Sequence, residues 1–152
     1  MLRSRVRVVL SVTLVGLAAL AAVVVLEAQP AKRTTMDGVY TLAQANEGKD
    51  LFAGLCQSCH TPTVHAGPPF RNKWFGQTLG DLFSYMRREM PKADPGTLSD
   101  EEYAAVTAYL MRINGMPTGR TPLAADSAAL HRIRIDSVNL AAPATPTPGS
   151  RP

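Results

Sequence analysis

The sequence predicts a small all-α domain of three to four helices, with a hydrophobic helix ahead of it and an irregular tail behind. Three observations lead there. Apolar residues recur at spacings of three and four in separate segments, which is helical periodicity. Clusters of proline and glycine divide those segments. No regular alternation of strand and helix patterns and no internal repeat interrupts the series.

The chain of 152 residues opens with Arg3, Arg5 and Arg7, followed by an uncharged, mainly apolar run at 8–26. A charged segment before an apolar one is the pattern of an export signal. The run is longer than most signals carry, and as a helix it spans roughly 28 Å, close to the thickness of a bilayer core. Residues 1–28 therefore read either as a signal peptide cleaved near Ala28 or as a retained membrane anchor. Both place the remainder outside the cytoplasm. Residues 29–38 read as a linker, 39–119 as the folded domain and 120–152 as a largely irregular extension.

Within the domain, Leu42 to Leu55 is helical, with Ala45, Leu51, Phe52 and Leu55 on one face and Gly48 as a point of close approach. Thr61 to Pro69 holds Pro62, Gly67, Pro68 and Pro69, and reads as loop. Thr78 to Met90 is helical through Leu79, Leu82, Phe83 and Met86. Pro91, Pro95 and Gly96 then enforce a loop. Ser99 is an N-cap with Glu102 three residues on, the pattern of a capping box. Asp100 and Glu101 suit the positive end of that helix. Its stripe is Tyr103, Val106, Leu110 and Ile113, and Asn114-Gly115 ends it. Beyond it, Ala124 to Leu130 suits one or two helical turns, Arg132 to Asp136 alternates like a short extended piece, and the Pro/Ala/Thr-rich end from Ala141 reads as disordered.

Net charge is +4, yet Met36 to Pro117 carries nine acidic against seven basic side chains, so the basic excess lies at the ends. No basic stripe interleaved with aromatics occurs, which excludes nucleic acid as a partner.

Both cysteines fall in one pentapeptide, Cys56-Gln57-Ser58-Cys59-His60. Two cysteines cannot form a disulfide framework. The pentapeptide is the c-type haem attachment pattern. Cysteines three apart on a helical turn lie on one side of the backbone, where both sulfurs reach the two vinyl groups on one edge of the macrocycle. His60 then follows beneath the iron as proximal ligand. A thioredoxin-type pair would want a preceding strand, and a zinc site recruiting Cys56, Cys59, His60 and His65 would force adjacent residues into one tetrahedral shell. A disulfide across the turn would leave His60 idle.

Haem iron in electron carriers often takes a methionine opposite the histidine. Met111 lies inside the last long helix, Met86 suits packing, and Met116 follows the helix as a reserve. Met90 opens the Pro-rich loop ahead of that helix and is the favoured distal ligand. His65 is too close in sequence to His60 to reach the opposite face easily.

These stretches together resemble class I mono-haem cytochromes c, in particular bacterial members associated with respiratory chains and quinoprotein dehydrogenases. The resemblance rests on Ala45-Asn46-Glu47-Gly48-Lys49-Asp50-Leu51-Phe52 leading into the pentapeptide, Thr78-Leu79-Gly80-Asp81-Leu82-Phe83, Met90-Pro91, and Leu98-Ser99-Asp100-Glu101-Glu102-Tyr103 running through Ala108-Tyr109-Leu110 to Asn114-Gly115. It covers roughly Tyr40 to Gly119. It implies one covalent haem c, Met90 as distal ligand, and a crossing of the first and last long helices at which Gly48 and Phe52 meet Tyr109. It further implies that a proline carbonyl, Pro68 or Pro69, accepts the His60 Nδ1 proton, and that Trp74 either bonds a haem propionate or fills the core. The segment Thr61-Pro62-Thr63-Val64-His65 departs from the small, Gly-rich residues of many relatives.

The expected function is electron transfer between a redox protein donor and acceptor, free or within a membrane complex, without substrate chemistry. Arg71, Lys73, Arg87, Arg88 and Lys92 are candidates for steering an acidic partner, or simply solvated surface. The competing expectations are a peroxidase-like haem enzyme with an open distal site, and a thiol redox or zinc module.

Overall fold

The computed structural model describes residues 33–136. The export segment at 1–28, its apolar run and the end from residue 141 lie outside the described residues. Among the described residues no helix is long and apolar enough to cross a membrane.

The all-α expectation holds. Among the described residues five α-helices occur, with one pair of two-residue strands. Helix α1 (Leu42–Leu55) is capped by the Thr41 hydroxyl, which accepts from the Gln44 N–H. Helix α2 (Pro68–Trp74) begins where a loop is expected. Its opening residues, Pro68 and Pro69, look like breakers in a sequence. In a first helical turn they cost little, because those N–H groups lack intrahelical partners anyway. Helix α3 (Leu79–Glu89) starts with a reciprocal cap between Thr78 and Asp81. Helix α4 (Asp100–Ile113) starts with the expected box, Ser99 Oγ accepting from the Glu102 N–H and Glu102 Oε2 from the Ser99 N–H. A single turn, α5 (Ser127–Leu130), follows later.

Helix α4 is the centre of the molecule. Every residue from Tyr103 to Met111 is buried, on all sides of the helix. Such a helix has no solvent face and must be covered all round. Helix α1 covers one side. The two cross where Gly48 lies against the backbone of Ala105, so closely that an added Cβ would stand 1.8 Å from the Ala105 carbonyl oxygen. One turn on, the rings of Phe52 and Tyr109 meet at 5.4 Å between centroids. The expected crossing is thus corrected in one detail: Phe52 meets Tyr109, while Gly48 meets Ala105.

Residues 120–136 run over the domain as a strap. Gln44 anchors its start by pairing its side-chain amide with both backbone groups of Leu123, at 3.0 and 2.7 Å. The imidazole of His131 lies on Gly80, where a Cβ would collide with the ring. Strand β1 (Arg33–Thr34) pairs in parallel with β2 (Ile133–Arg134), Arg33 opposite Ile133. The Ile135 N–H donates to the Gln77 carbonyl at 2.8 Å, and its carbonyl accepts from Gly76 at 3.0 Å. Leu123, Leu130, Ile133 and Ile135 are all buried in the same core as the helices.

Candidate haem site

The last turn of α1 runs into the pentapeptide. The Cys56 N–H donates to the Phe52 carbonyl at 2.9 Å, and the Cys56 carbonyl in turn accepts from Cys59 at 3.1 Å and His60 at 2.9 Å. That winding puts Cys56, Cys59 and His60 on one turn. Both cysteines are unpaired thiols. Burial pushes the Cys56 thiol up from its ordinary value. A thiol oxidoreductase needs the opposite, a thiol whose value is lowered toward thiolate. Nor do three His, Cys, Asp or Glu side chains gather, among the described residues, into a group able to hold a metal ion, as a structural zinc site would require.

All three residues line a mainly apolar cavity of about 460 Å³. It lies within the range of cofactor pockets. Helix α4 forms its floor through Tyr103, Val106 and Leu110, and Met86 and Met90 also line it. Met90 caps α3, its N–H donating to the Met86 carbonyl at 2.8 Å. Met116 is buried in the core, beneath a 2.6 Å bond from the Tyr40 hydroxyl to its carbonyl, and does not line the cavity. Met111 is likewise buried in the core.

His65 also lines the cavity, but its ring stands edge-on to that of His60 at 4.9 Å, and edge-on to Phe52 at 6.0 Å. It therefore belongs to the His60 side. Burial lowers its imidazole from the ordinary value, and the neighbouring His60 and Lys73 push the same way. Of the two prolines, Pro69 lines the cavity and Pro68 does not. Trp74 is buried, lines the cavity, and packs edge-on against Tyr85 at 5.4 Å, with the Lys73 ammonium over both rings.

Leu55 and Val64 are large apolar residues about half exposed, at 47% and 51%, and both line this cavity. Leu55, expected on the core face of α1, instead faces the opening. Apolar side chains left bare around an apolar hollow fit a flat, greasy group that would cover them. With two thiols, two imidazoles and two thioethers among the lining groups, the donor set fits haem c.

Residues 43–110 match the family model described as cytochrome c oxidase, cbb3-type, subunit III. The chain carries a class I c-type cytochrome domain. Neither a curated protein nor a solved structure matches it. A cytochrome c domain implies a haem c electron-transfer protein, either carrier or subunit.

Of the five basic candidates on the cytochrome domain, Lys73 and Lys92 line the cavity. Arg87 is paired with Asp100 at 3.1 Å and Lys92 with Glu89 at 3.6 Å. Two residues escape sequence reasoning. Asn114, read only as a helix stop, also bonds the loop after His60. Tyr103, read only as part of a stripe, bonds the Met90 carbonyl. The signal for Tyr103 lies in its type, since a tyrosine on a buried stripe needs a partner for its hydroxyl.

Proposed function

We propose that this chain is a mono-haem c-type cytochrome that passes electrons outside the cytoplasm. Haem c would be held through thioethers to Cys56 and Cys59, with His60 and Met90 as iron ligands. The observation that carries the reading is one apolar cavity lined both by the C-x-x-C-H turn and by the methionine that opens the loop before α4. Bound haem c supplies one-electron chemistry, its iron alternating between ferric and ferrous states. The protein's part is ligation, exclusion of water and control of the local dielectric. Cys56 and Cys59 would fix the group in place, His60 would orient it, and Met90 would supply a second ligand where an enzyme would admit substrate. Pro69 suits a place behind His60 better than Pro68, since it lines the cavity.

The family that matches is described as a subunit of a cbb3-type oxidase, which supports a respiratory membrane complex as the setting, with a redox protein as donor and another as acceptor. Residues 8–26 would hold the domain at the periplasmic face, or serve as the signal that sends it there.

The test has two steps. Haem staining should survive denaturing electrophoresis, and the mass should exceed that of the polypeptide by one haem. In the ferric protein, the weak methionine-to-iron charge-transfer band should be present and should vanish in Met90→Ala. Free thiols with no Soret band would sink the haem reading. A band unchanged in Met90→Ala would sink the ligand assignment.

A further inference from the structure

Tyr103 lies in the first turn of α4 and is 2% exposed. A hydroxyl buried this deeply costs free energy unless it is bonded. This one makes two bonds: it donates to the Met90 carbonyl at 2.6 Å and accepts from the Gly96 N–H at 3.1 Å. Those atoms stand at the two ends of the Met90–Gly96 loop. The other hydrogen bonds of that loop are local. Met90 bonds back to Met86 on α3, the Asp94 N–H donates to the Pro91 carbonyl, and the Thr97 hydroxyl donates to the Asp94 carbonyl. Tyr103 therefore supplies the hydrogen bonds that join the loop to the central helix. Its own ring is fixed, edge-on against Phe83 at 6.2 Å between centroids, and it lines the cavity.

We infer that Tyr103 is a positioning residue for the distal ligand: its hydroxyl holds the Met90 backbone so that the thioether stays presented to the cavity, and so sets how easily another ligand displaces it. The inference rests on the assignment of Met90 above. A methionine is a neutral, weakly held ligand, and its loop must stay ordered for it to compete. A clamp made beforehand removes that ordering cost from the ligation step. Without the clamp, loop-open states are more populated, and a competing ligand gains affinity in the same proportion.

The experiment uses the ferric holoprotein and imidazole as the competing ligand, with Tyr103→Phe and Tyr109→Phe compared to the unaltered chain. Tyr109 packs through its ring against Phe52, does not line the cavity, and so controls for loss of a hydroxyl on the same helix. Imidazole should bind Tyr103→Phe about tenfold more tightly, equivalent to about 1.4 kcal/mol, and Tyr109→Phe like the unaltered protein. The pH above which the methionine charge-transfer band is lost should fall in Tyr103→Phe alone. Unchanged imidazole affinity in a folded, haem-bearing Tyr103→Phe protein overturns the inference while leaving Met90 as ligand. An unaltered protein with no charge-transfer band, or a Met90→Ala protein that retains it, overturns the ligand assignment itself. Should Tyr103→Phe fail to fold, proton NMR of the ferrous unaltered protein decides. A slowly exchanging Tyr103 hydroxyl proton close to Met90 supports the clamp, and its absence overturns it.

Discussion

Asn114 grips the backbone of Gly67 from across the fold, its Oδ1 accepting the Gly67 N–H at 2.9 Å. Its Nδ2 donates to the His65 carbonyl at 2.9 Å and to the Leu110 carbonyl at 2.8 Å. The residue that ends α4 thus ties down the corner between His60 and α2. In Asn114→Ala the Gly67 N–H and His65 carbonyl lose their partner in a half-buried setting. The expected loss is about 1–3 kcal/mol, read by urea unfolding of the haem-bearing protein. An unchanged midpoint would show that water replaces the amide at no cost.

Two glycines of α1 should respond in opposite directions. At Gly48 a methyl group would collide with the Ala105 carbonyl, so Gly48→Ala must push α1 off α4. Overpacking of this kind costs about 1–3 kcal/mol or more, and backbone cannot yield as a side chain can. Gly54 has nothing within 4 Å of its added Cβ, and alanine is the better helix former by about 1 kcal/mol. Thermal melts should show Gly48→Ala well below the parent and Gly54→Ala at or above it.

The Asp81 carboxylate makes the stability of α3 depend on pH. The Thr78 hydroxyl, at 2.7 Å, and the Thr78 N–H, at 2.9 Å, hold it below the ordinary carboxylate value, with a smaller pull from His131. The folded value is thus lower than the unfolded one. The stabilisation is complete above the ordinary value, about 3.9, and is lost as pH falls through the lowered folded value. Asp81→Asn should therefore melt below the parent at neutral pH, with the gap closing as the pH drops below about 4. A gap that stays constant in acid would assign the effect to something other than ionisation.

Ile135 is fully buried although it lies in the strap, far outside the long helices. Ile135→Ala should cost about 2–5 kcal/mol, as a residue of the central core would. Denaturant unfolding with a shifted midpoint and an unchanged slope is the expected result. A surface-like response would mean that the strap only rests on the domain.

Much of the fold was legible because it is written in local chemistry. Ser99 is a hydroxyl cap ahead of an apolar stripe, and its helix begins directly after it. The pentapeptide needed no tertiary information, since its spacing alone sets a turn. Helix α2 was hidden because proline has two meanings, breaker within a helix and opener at its start, and only the packing of Phe70 and Trp74 decides between them. The local pieces of the strap, a helical turn ending at Leu130 and an extended run at Ile133–Arg134, were legible, but its packing was hidden for another reason. Leu123, Leu130, Ile133 and Ile135 sit too far apart to form a periodic stripe, and their burial depends on where Gln44, Gln77 and Gly80 happen to stand. Leu55 was assigned to the core because its spacing from Phe52 and Leu51 fits; the same spacing serves equally well to turn it toward a ligand.

The pairing of β1 with β2 has a mechanical consequence. The strands are parallel, so chain entering at Arg33 and chain leaving after Arg134 depart from opposite ends of the pair. A pull on both ends loads the ladder lengthwise, with its hydrogen bonds resisting together rather than unzipping singly. Tension applied between Arg33 and Asp136 therefore loads this pair in shear, together with the bonds of Ile135 to Gly76 and Gln77 and of Asp136 to Thr35.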